Sequence, residues 1–243
     1  MLYKIAHSLN IFLYVGVIFL FGGPVSAQEM TISKYGLPVM DNVAVYQQTV
    51  GRDSVKKMVE LRSLEPRIVY DLRYAAANNF MKKRMYPSKT RHTFLRVLPA
   101  RALAKVQQEL NARGYGLKIY DAYRPYSVTV TFWEPIKDER YVANPAKGSG
   151  HNRGLAVDLT IIQNGKELDM GTGFDNFTDS AHHAFTIRLP EEVQRNRALL
   201  KEIMERNGFT AMDTEWWHYY WPNDRNYEVL DIPFNKLMNA ARK

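Results

Sequence analysis

The chain has 243 residues, of which 46% are hydrophobic and 24% are charged, and its formal net charge is +8. This length and apolar content predict one globular domain with a full core rather than two domains. The chain has no cysteine, which excludes a disulfide framework and any metal site built on thiolates. A bound metal would therefore be held by histidine and carboxylate side chains.

The first 27 residues have the pattern of a secretory signal. Lys4 lies in a short polar start, the apolar run IFLYVGVIFLFGG follows, and Val25-Ser26-Ala27 is a small-residue cleavage site. An uncleaved membrane anchor is the alternative, although the run is shorter than the ~20 residues of a spanning helix. We expect an exported protein, periplasmic or secreted, with no stable membrane partner once the signal is removed.

The rest of the chain divides into an expected N-terminal arm, residues 28–50, and a packed domain, residues 51–243. The arm is predicted because residues 28–50 lack a clear hydrophobic period. The densest basic stretch, KKRMYPSKTRH at 82–92, is interpreted as a solvated loop, since no recognition helix or stacking motif accompanies it. We therefore expect no nucleic-acid partner.

Two segments of the domain have the hydrophobic period and end signals of helices. Residues 99–114, PARALAKVQQELNARG, and residues 189–208, LPEEVQRNRALLKEIMERNG, each begin near a proline and end at a glycine. Their apolar faces comprise Leu103, Val106 and Leu110 in the first segment and Leu199, Leu200, Ile203 and Met204 in the second.

Four shorter segments are predicted as strands: LKIY at 117–120, GLAVDLTII at 154–162, FTAM at 209–212 and EWWHYYW at 215–221. The second alternates, so that Asp158 lies on the face opposite its leucines. The last two strands are joined by a short turn and should pair. We therefore predict an α+β fold, a single domain with a mainly antiparallel sheet and flanking helices.

His151, Asp158 and His218 are the candidate ligands of a metal ion. A hydrolytic zinc site normally has three protein ligands and leaves its fourth position for water, which the ion acidifies. Glu215, three residues before His218, could take a proton from that water and pass it to a leaving amine. Positions three apart on a regular strand face opposite sides, so we predict an irregularity between Glu215 and His218.

Each of these residues also has a simpler interpretation when taken alone. His218 lies among five aromatic residues and could be a hydrogen-bonded core histidine, and His151 in its glycine-rich loop is equally ambiguous. The adjacent pair His182-His183 is an alternative ligand source. Neighbours on a strand point in opposite directions, so at most one of the pair could join the metal, and a structural role is preferred.

Several ordered motifs resemble one enzyme family. SGHNRGLAVD has the form Ser-x-His-x6-Asp, and EWWH has the form Glu-x-x-His. Both are similar to motifs of the zinc D-alanyl-D-alanine dipeptidases and their carboxypeptidase relatives, which act on bacterial cell-wall peptides. YDAYRP at 120–125 resembles the arginine-bearing turn of the dipeptidases, and YDLRYAAANNF at 70–80 resembles their N-terminal signature. With MGTGFDNF and SAHHAF, the likeness covers roughly residues 65–221.

The resemblance implies a role for each candidate residue. It makes His151, Asp158 and His218 the ligands of one Zn²⁺ ion, Glu215 the catalytic base and Arg124 the residue that stabilises the transition state. It further implies that the pocket binds the free ammonium of a small D-amino-acid dipeptide; Asp175, Tyr74 and Ser149 would line that end. Without the resemblance, these three would be a turn residue, a core aromatic residue and a loop hydroxyl, and Arg124 a surface turn residue.

Three other functions compete with hydrolysis of D-alanyl-D-alanine. The nearest is a D,D- or L,D-carboxypeptidase or endopeptidase of the same metal class acting on longer peptidoglycan stems, which an open groove would favour. The 27 positions from Arg124 to His151 form a shorter connection than is typical of the dipeptidases, so the substrate length stays open. We expect that stretch to form part of the pocket wall. The second is a serine hydrolase that uses Ser149 with His151, but the G-x-S-x-G pattern of such enzymes is absent from the sequence. A zinc-stabilised wall-binding module would need neither Glu215 nor Arg124.

Overall fold

The computed structural model of the chain describes residues 30–241. The signal segment expected over residues 1–27 lies outside the described residues. None of the helices formed by residues 30–241 combines the length and the hydrophobicity of a transmembrane span.

A six-stranded sheet forms the centre of the described fold, with strand order β4-β6-β7-β10-β9 and β8 paired to β7. Only β4 and β6 are parallel; the other pairs are antiparallel. Two small sheets, β1-β2 and β3-β5, lie outside it. The strands are β1 (Thr31–Ile32), β2 (Pro38–Val39), β3 (Met58–Glu60), β4 (Val69–Tyr70), β5 (Phe94–Arg96), β6 (Gly116–Asp121), β7 (Ala156–Gln163), β8 (Lys166–Glu167), β9 (Thr210–Met212) and β10 (Glu215–Tyr220).

Seven α-helices in the described range surround this sheet. They are α1 (Val43–Arg52), α2 (Leu61–Leu64), α3 (Val97–Asn111), α4 (Tyr126–Ile136), α5 (Gly150–Arg153), α6 (Glu191–Arg206) and α7 (Phe234–Ala241). The predicted α+β class, with a mainly antiparallel sheet and flanking helices, is therefore confirmed.

The two long predicted helices form, with ends that differ by a few residues. Helix α3 ends at Asn111, before the predicted Gly114, because residues 112–114 form a turn in which Gly114 has a φ of +77°. Helix α6 begins with Glu191 and Glu192 and ends with Arg206. These charges complement the helix dipole at both ends.

One apolar core joins α3 and α6 to the sheet. One buried cluster contains apolar side chains from both helices and from β7: Leu103, Val106 and Leu110 of α3, Leu200 and Ile203 of α6, and Val157, Leu159 and Ile161 of β7. The alternating pattern of β7 is typical of a strand with one exposed face. In the structure both of its faces are buried, and only its last residue is exposed. Asp158, at 3% exposure, is therefore a carboxylate inside the protein.

The segment expected to be an N-terminal arm is structured where it is described. Helix α1 is capped by the side chain of Asn42, which accepts hydrogen bonds from the backbone N–H groups of Ala44 and Val45. Met40 and Tyr46 are buried in a second core cluster. The expected boundary at residue 50 falls inside α1, and this helix packs on the domain.

Candidate active site

The motif SGHNRG forms a single capped helical turn. Ser149 Oγ accepts a hydrogen bond from the backbone N–H of Asn152 at 3.1 Å, and Asn152 Oδ1 accepts one from the backbone N–H of Ser149 at 3.0 Å. This reciprocal capping box satisfies two amide groups that a helix start leaves free. It fixes α5 so that His151, only 4% exposed, points into the protein.

Gly154 lets the chain leave this turn and enter β7. Its φ is +68°, and a Cβ atom there would lie 2.6 Å from Met58 Sδ. The left-handed backbone disfavours any residue with a side chain, and Met58 would have to move to make room for one. The turn brings His151 of α5 and Asp158 of β7 to the same end of the sheet.

Strand β10 is irregular between Glu215 and His218, as predicted. Glu215 pairs with Met212 of β9, but the register shifts before Tyr219 pairs with Ala211. The shift brings Glu215 and His218 to the same cavity. Glu215 Oε2 lies 3.9 Å from His218 Nδ1.

The predicted ligand atoms converge. His218 Nδ1 lies 2.8 Å from Asp158 Oδ1 and 3.3 Å from His151 Nε2, and His151 Nε2 lies 3.4 Å from Asp158 Oδ2. Among the described residues, His151, Asp158 and His218 are the one group of three or more metal-type side chains whose donor atoms lie within 4.8 Å of one another. These three residues could hold a metal ion.

The chemistry of the donors fits a cation such as zinc. Ligand atoms about 2.0–2.1 Å from a tetrahedral ion are roughly 3.3 Å apart, which is close to the separations found here. His151 Nδ1 lies 2.7 Å from the carbonyl oxygen of Ala122. A proton on Nδ1 would be donated to that carbonyl, which leaves the lone pair of Nε2 facing Asp158 and His218.

Arg124 enters the same cavity from the turn after β6. Its Nε donates a hydrogen bond to Asp121 Oδ2 at 3.0 Å, and its Nη2 lies 2.8 Å from the same oxygen and 3.9 Å from Asp158 Oδ2. Burial opposes its charge, but the Asp121 carboxylate holds the pKa of Arg124 well above its ordinary range. Arg124 is therefore a permanent buried cation and not the surface turn residue that its position before Pro125 would indicate.

Asp175 lies on a loop at another side of the cavity. It accepts hydrogen bonds from Tyr74 Oη at 3.0 Å and from the backbone N–H of Phe80 at 3.3 Å. Its φ of +62° is in the left-handed region, which side-chain-bearing residues rarely adopt. Burial, followed by the charge of Asp158, raises the pKa of Asp175 to about 7.

Burial and the neighbouring imidazoles act in opposite directions on the pKa values of Glu215 and Asp158. Burial raises the pKa of Glu215 to about 7. Asp158 is more deeply buried than Glu215, yet the imidazole groups of His151 and His218 outweigh its burial and hold its pKa below its ordinary value. The two carboxylates on neighbouring strands therefore differ: Asp158 is ionised, whereas Glu215 can exchange a proton near neutral pH.

All eight predicted site residues line one cavity of about 240 Å³: Tyr74, Arg124, Ser149, His151, Asp158, Asp175, Glu215 and His218. This volume lies below the ~300–1,000 Å³ typical of pockets for drug-sized ligands. Residues 139–143, between α4 and α5, also line it, so the prediction that this connection forms part of the wall is confirmed. His182 and His183 do not line this cavity.

Comparison with known proteins agrees with the motifs. The family described as D-ala-D-ala dipeptidase, peptidase family M15, matches residues 54–237. The chain belongs to this family. The resemblance predicted from the sequence motifs is thereby confirmed.

Relatives within the family span most of the described domain. The chain is 37% identical over 186 residues to a D-alanyl-D-alanine dipeptidase of Escherichia coli (strain K12), covering 76% of this chain and 95% of that protein. It is 32% identical over 170 residues to a D-alanyl-D-alanine dipeptidase of Enterococcus faecium, covering 62% and 84%. A solved structure of vancomycin resistance D,D-dipeptidase VanXYg, in complex with a D-Ala-D-Ala phosphinate analog, has 20% identity and a TM-score of 0.34, covering 56% of this chain and 54% of that one.

Sequence analysis missed two polar residues that support the site. Asp121 is fully buried and binds Arg124, and Asn152 Nδ2 donates to the backbone carbonyl of Arg124 and to Thr129 Oγ1, both at 2.9 Å. Asp121 lies in the motif YDAYRP beside Arg124, and Asn152 lies in the motif SGHNRG beside His151. A buried partner for the Arg124 cation was the signal that could have identified Asp121, since buried charges are paired.

Proposed function

We propose that this protein is a zinc-dependent dipeptidase that hydrolyses D-alanyl-D-alanine. The observation that carries the proposal is the convergence of a His-Asp-His donor group, Glu215, Arg124 and Asp175 on one cavity of about 240 Å³. Membership of the family and the names of the relatives support the choice of substrate.

His151, Asp158 and His218 would hold one zinc ion. When bound, the ion polarises the peptide carbonyl and lowers the pKa of a water molecule toward ~7. Asp158 stays ionised beside the two imidazoles, so the three residues supply one negative charge and two neutral nitrogen donors to the cation.

Glu215 is proposed as the general base and acid. It lies next to His218 in the cavity without being one of the three clustered donors. Its carboxylate takes a proton from the attacking water as oxygen adds to the carbonyl carbon. It then delivers that proton to the departing amine nitrogen as the C–N bond breaks, so that one water and one dipeptide give two amino acids.

Arg124 is proposed to stabilise the oxyanion that forms on the carbonyl oxygen. Asp121 fixes the guanidinium, so the cation needs no reorganisation when negative charge develops. A preorganised donor in a buried cavity stabilises such charge by several kcal/mol, in the range of about 2.7–4 kcal/mol for one oxyanion donor.

Asp175, Tyr74 and Ser149 are proposed to bind the free ammonium of the dipeptide. Asp175 offers a carboxylate that is already oriented by two hydrogen bonds. Ser149 Oγ accepts one hydrogen bond from the backbone N–H of Asn152 as the helix cap, so its second lone pair is left to accept a hydrogen bond from the ammonium. An anionic anchor favours a substrate with a free amino group over an acylated one.

The test compares the free dipeptide with N-acetyl-D-Ala-D-Ala on zinc-loaded protein, together with metal analysis of the purified chain. A dipeptidase cleaves the free dipeptide and discriminates strongly against the acetylated form. Cleavage of the acetylated form at an equal or greater rate would instead identify the carboxypeptidase or endopeptidase acting on longer stems. Inhibition by a serine-directed reagent, without inhibition by a chelator, would contradict a metal mechanism.

We also propose that the protein acts in the bacterial envelope, periplasmic or secreted. The signal pattern of residues 1–27 supports this location. Sequencing the N-terminus of the protein purified from its native source tests it: a mature chain starting near Gln28 is expected, whereas a start at Met1 would leave the segment in place.

A further inference from the structure

Arg197 of α6 holds three backbone carbonyls of a single loop. Its Nε donates to the carbonyl oxygen of Met170 at 2.7 Å, its Nη2 to that of Ser180 at 2.8 Å and its Nη1 to that of His182 at 3.1 Å. Arg197 is 5% exposed, and the hydrogen bonds of its guanidinium to residues 30–241 all go to backbone carbonyls rather than to a carboxylate. The carbonyl dipoles therefore replace a counterion for this buried guanidinium.

The loop that Arg197 holds is the one that carries Asp175. Met170 and Ser180 flank Asp175 on opposite sides, so one guanidinium ties the two stems of residues 170–182 together. The loop contains only one short 3-10 turn, Asp179–Ala181. Gly171, with a φ of +79°, packs so closely on α6 that a Cβ atom would lie 2.9 Å from Val193 Cγ1.

Asp175 depends on such support because its own backbone is strained. A non-glycine residue in the left-handed region persists only where its surroundings fix it. Phe174 stacks on Tyr120 with ring centroids 4.7 Å apart, and Trp216 Nε1 donates to Thr172 Oγ1 at 2.8 Å. These contacts hold the first half of the loop. Among residues 30–241, Arg197 is the one residue that joins both ends of the loop through charged hydrogen bonds.

We infer that Arg197 is a positioning residue for substrate binding, which acts by fixing the loop that presents Asp175 to the substrate ammonium. This inference rests on the proposed function for the role of Asp175. The planar fork of arginine supplies three differently directed N–H groups, and lysine offers a single point charge that cannot reproduce them. Arg197 itself lies outside the cavity and touches no proposed reacting group.

The test uses the zinc-loaded full chain with Arg197→Lys, Asp175→Asn and the double variant. Arg197→Lys is expected to raise KM for D-Ala-D-Ala about tenfold and to change kcat by less than threefold. In the Asp175→Asn background the same substitution should change KM by less than twofold. The reason is that the effects of two substitutions are not additive when one residue acts through the other. Arg195→Met is the matched control, because Arg195 is an exposed arginine of the same helix that pairs only with Glu191.

Hydrogen exchange gives a readout that does not need activity. Backbone amides of residues 171–182 should exchange at least tenfold faster in Arg197→Lys than in the wild type. Their exchange rates in Arg195→Met should equal those of the wild type. Equal KM effects in both backgrounds, or unchanged exchange in the loop, would overturn the inference. If the wild type failed to cleave the dipeptide while the loop loosened as expected, the proposed function would be wrong and the anchoring of the loop by Arg197 would stand.

Discussion

Arg124 and Asp121 form a buried ion pair in which Nε donates a hydrogen bond to one carboxylate oxygen and Nη2 lies 2.8 Å from that same oxygen. The other oxygen of Asp121 accepts a hydrogen bond from Tyr86 Oη at 2.7 Å. Asp121 is fully buried, so both of its oxygens are committed. The pair therefore fixes the direction of the guanidinium before any substrate binds.

Replacement of Arg124 by lysine is expected to lower kcat by about 10²–10³, the loss typical of one oxyanion donor. KM should change much less, because the negative charge on the carbonyl oxygen is greatest in the transition state. Steady-state kinetics on D-Ala-D-Ala measure both constants. Arg140→Lys is the control, because Arg140 lines the same cavity but pairs with Asp138. A rise in KM alone would make Arg124 a ground-state binding residue.

Replacement of Glu215 by glutamine should abolish most turnover while zinc stays bound. The amide cannot accept the proton from water, and general base catalysis is worth about 10²–10⁴ in rate. Metal analysis and kcat are measured on the same sample. Glu139→Gln is a matched control: Glu139 lines the same cavity but binds Asn144 and Lys147. Unchanged turnover in Glu215→Gln would remove Glu215 from the mechanism.

Asp175 should make the folded protein less stable as the pH rises. Its pKa in the folded state is about 7, above the ~3.9 of an unfolded aspartate. The protonated Asp175 carboxyl therefore contributes its full stabilisation of the folded state below pH ~4. This stabilisation is lost as the pH rises through about 7. From pH 5 to pH 8 this group is expected to cost the wild type on the order of 2 kcal/mol of unfolding free energy.

Asp175→Asn removes that titration, so the variant should gain stability relative to the wild type between pH 5 and pH 8. Denaturant unfolding at the two pH values measures the difference. Asp179→Asn is the control, since the Asp179 side chain is in the same loop but 93% exposed. Parallel pH curves for the wild type and Asp175→Asn would contradict the raised pKa.

Removal of the metal should abolish activity and lower the melting temperature, and added zinc should restore both. An ion that binds only the folded state stabilises it by about 2.7 kcal/mol at 100 times its Kd. His151→Ala should be insensitive to chelator and to zinc, because one of the three clustered donors is missing. His92→Ala, which changes a half-exposed histidine outside the cluster, should behave as the wild type does.

The fold was predictable where hydrophobic period and end signals agree. Helices α3 and α6 and strands β6, β7 and β10 all formed near their predicted positions. Helix α1 was not predicted, because its apolar face is short and its burial depends on contacts with residues distant in the chain. Tyr46 in α1, for example, accepts a hydrogen bond from the backbone N–H of Met58.

The eight residues that converge on the cavity were predicted from motifs, whereas the residues that orient them were not. His151, Asp158 and His218 belong to residue types and spacings that indicate a metal site. Asp121 and Arg197 belong to no such motif. The partner of Asp121 is the Arg124 side chain across a turn, and the partners of Arg197 are three carbonyl groups of a loop distant in the chain. Only the folded structure brings those partners together.

The shifted register of β10 has a consequence for motif searches and for protein engineering. If a Glu-x-x-His sequence were placed on a regular strand, its carboxylate and its imidazole would point to opposite faces of the sheet, even though the sequence motif is identical. The irregular backbone between Glu215 and His218 is thus as much a part of the signature as the residues themselves. A search for new hydrolases of this kind should score the local strand distortion together with the amino acids.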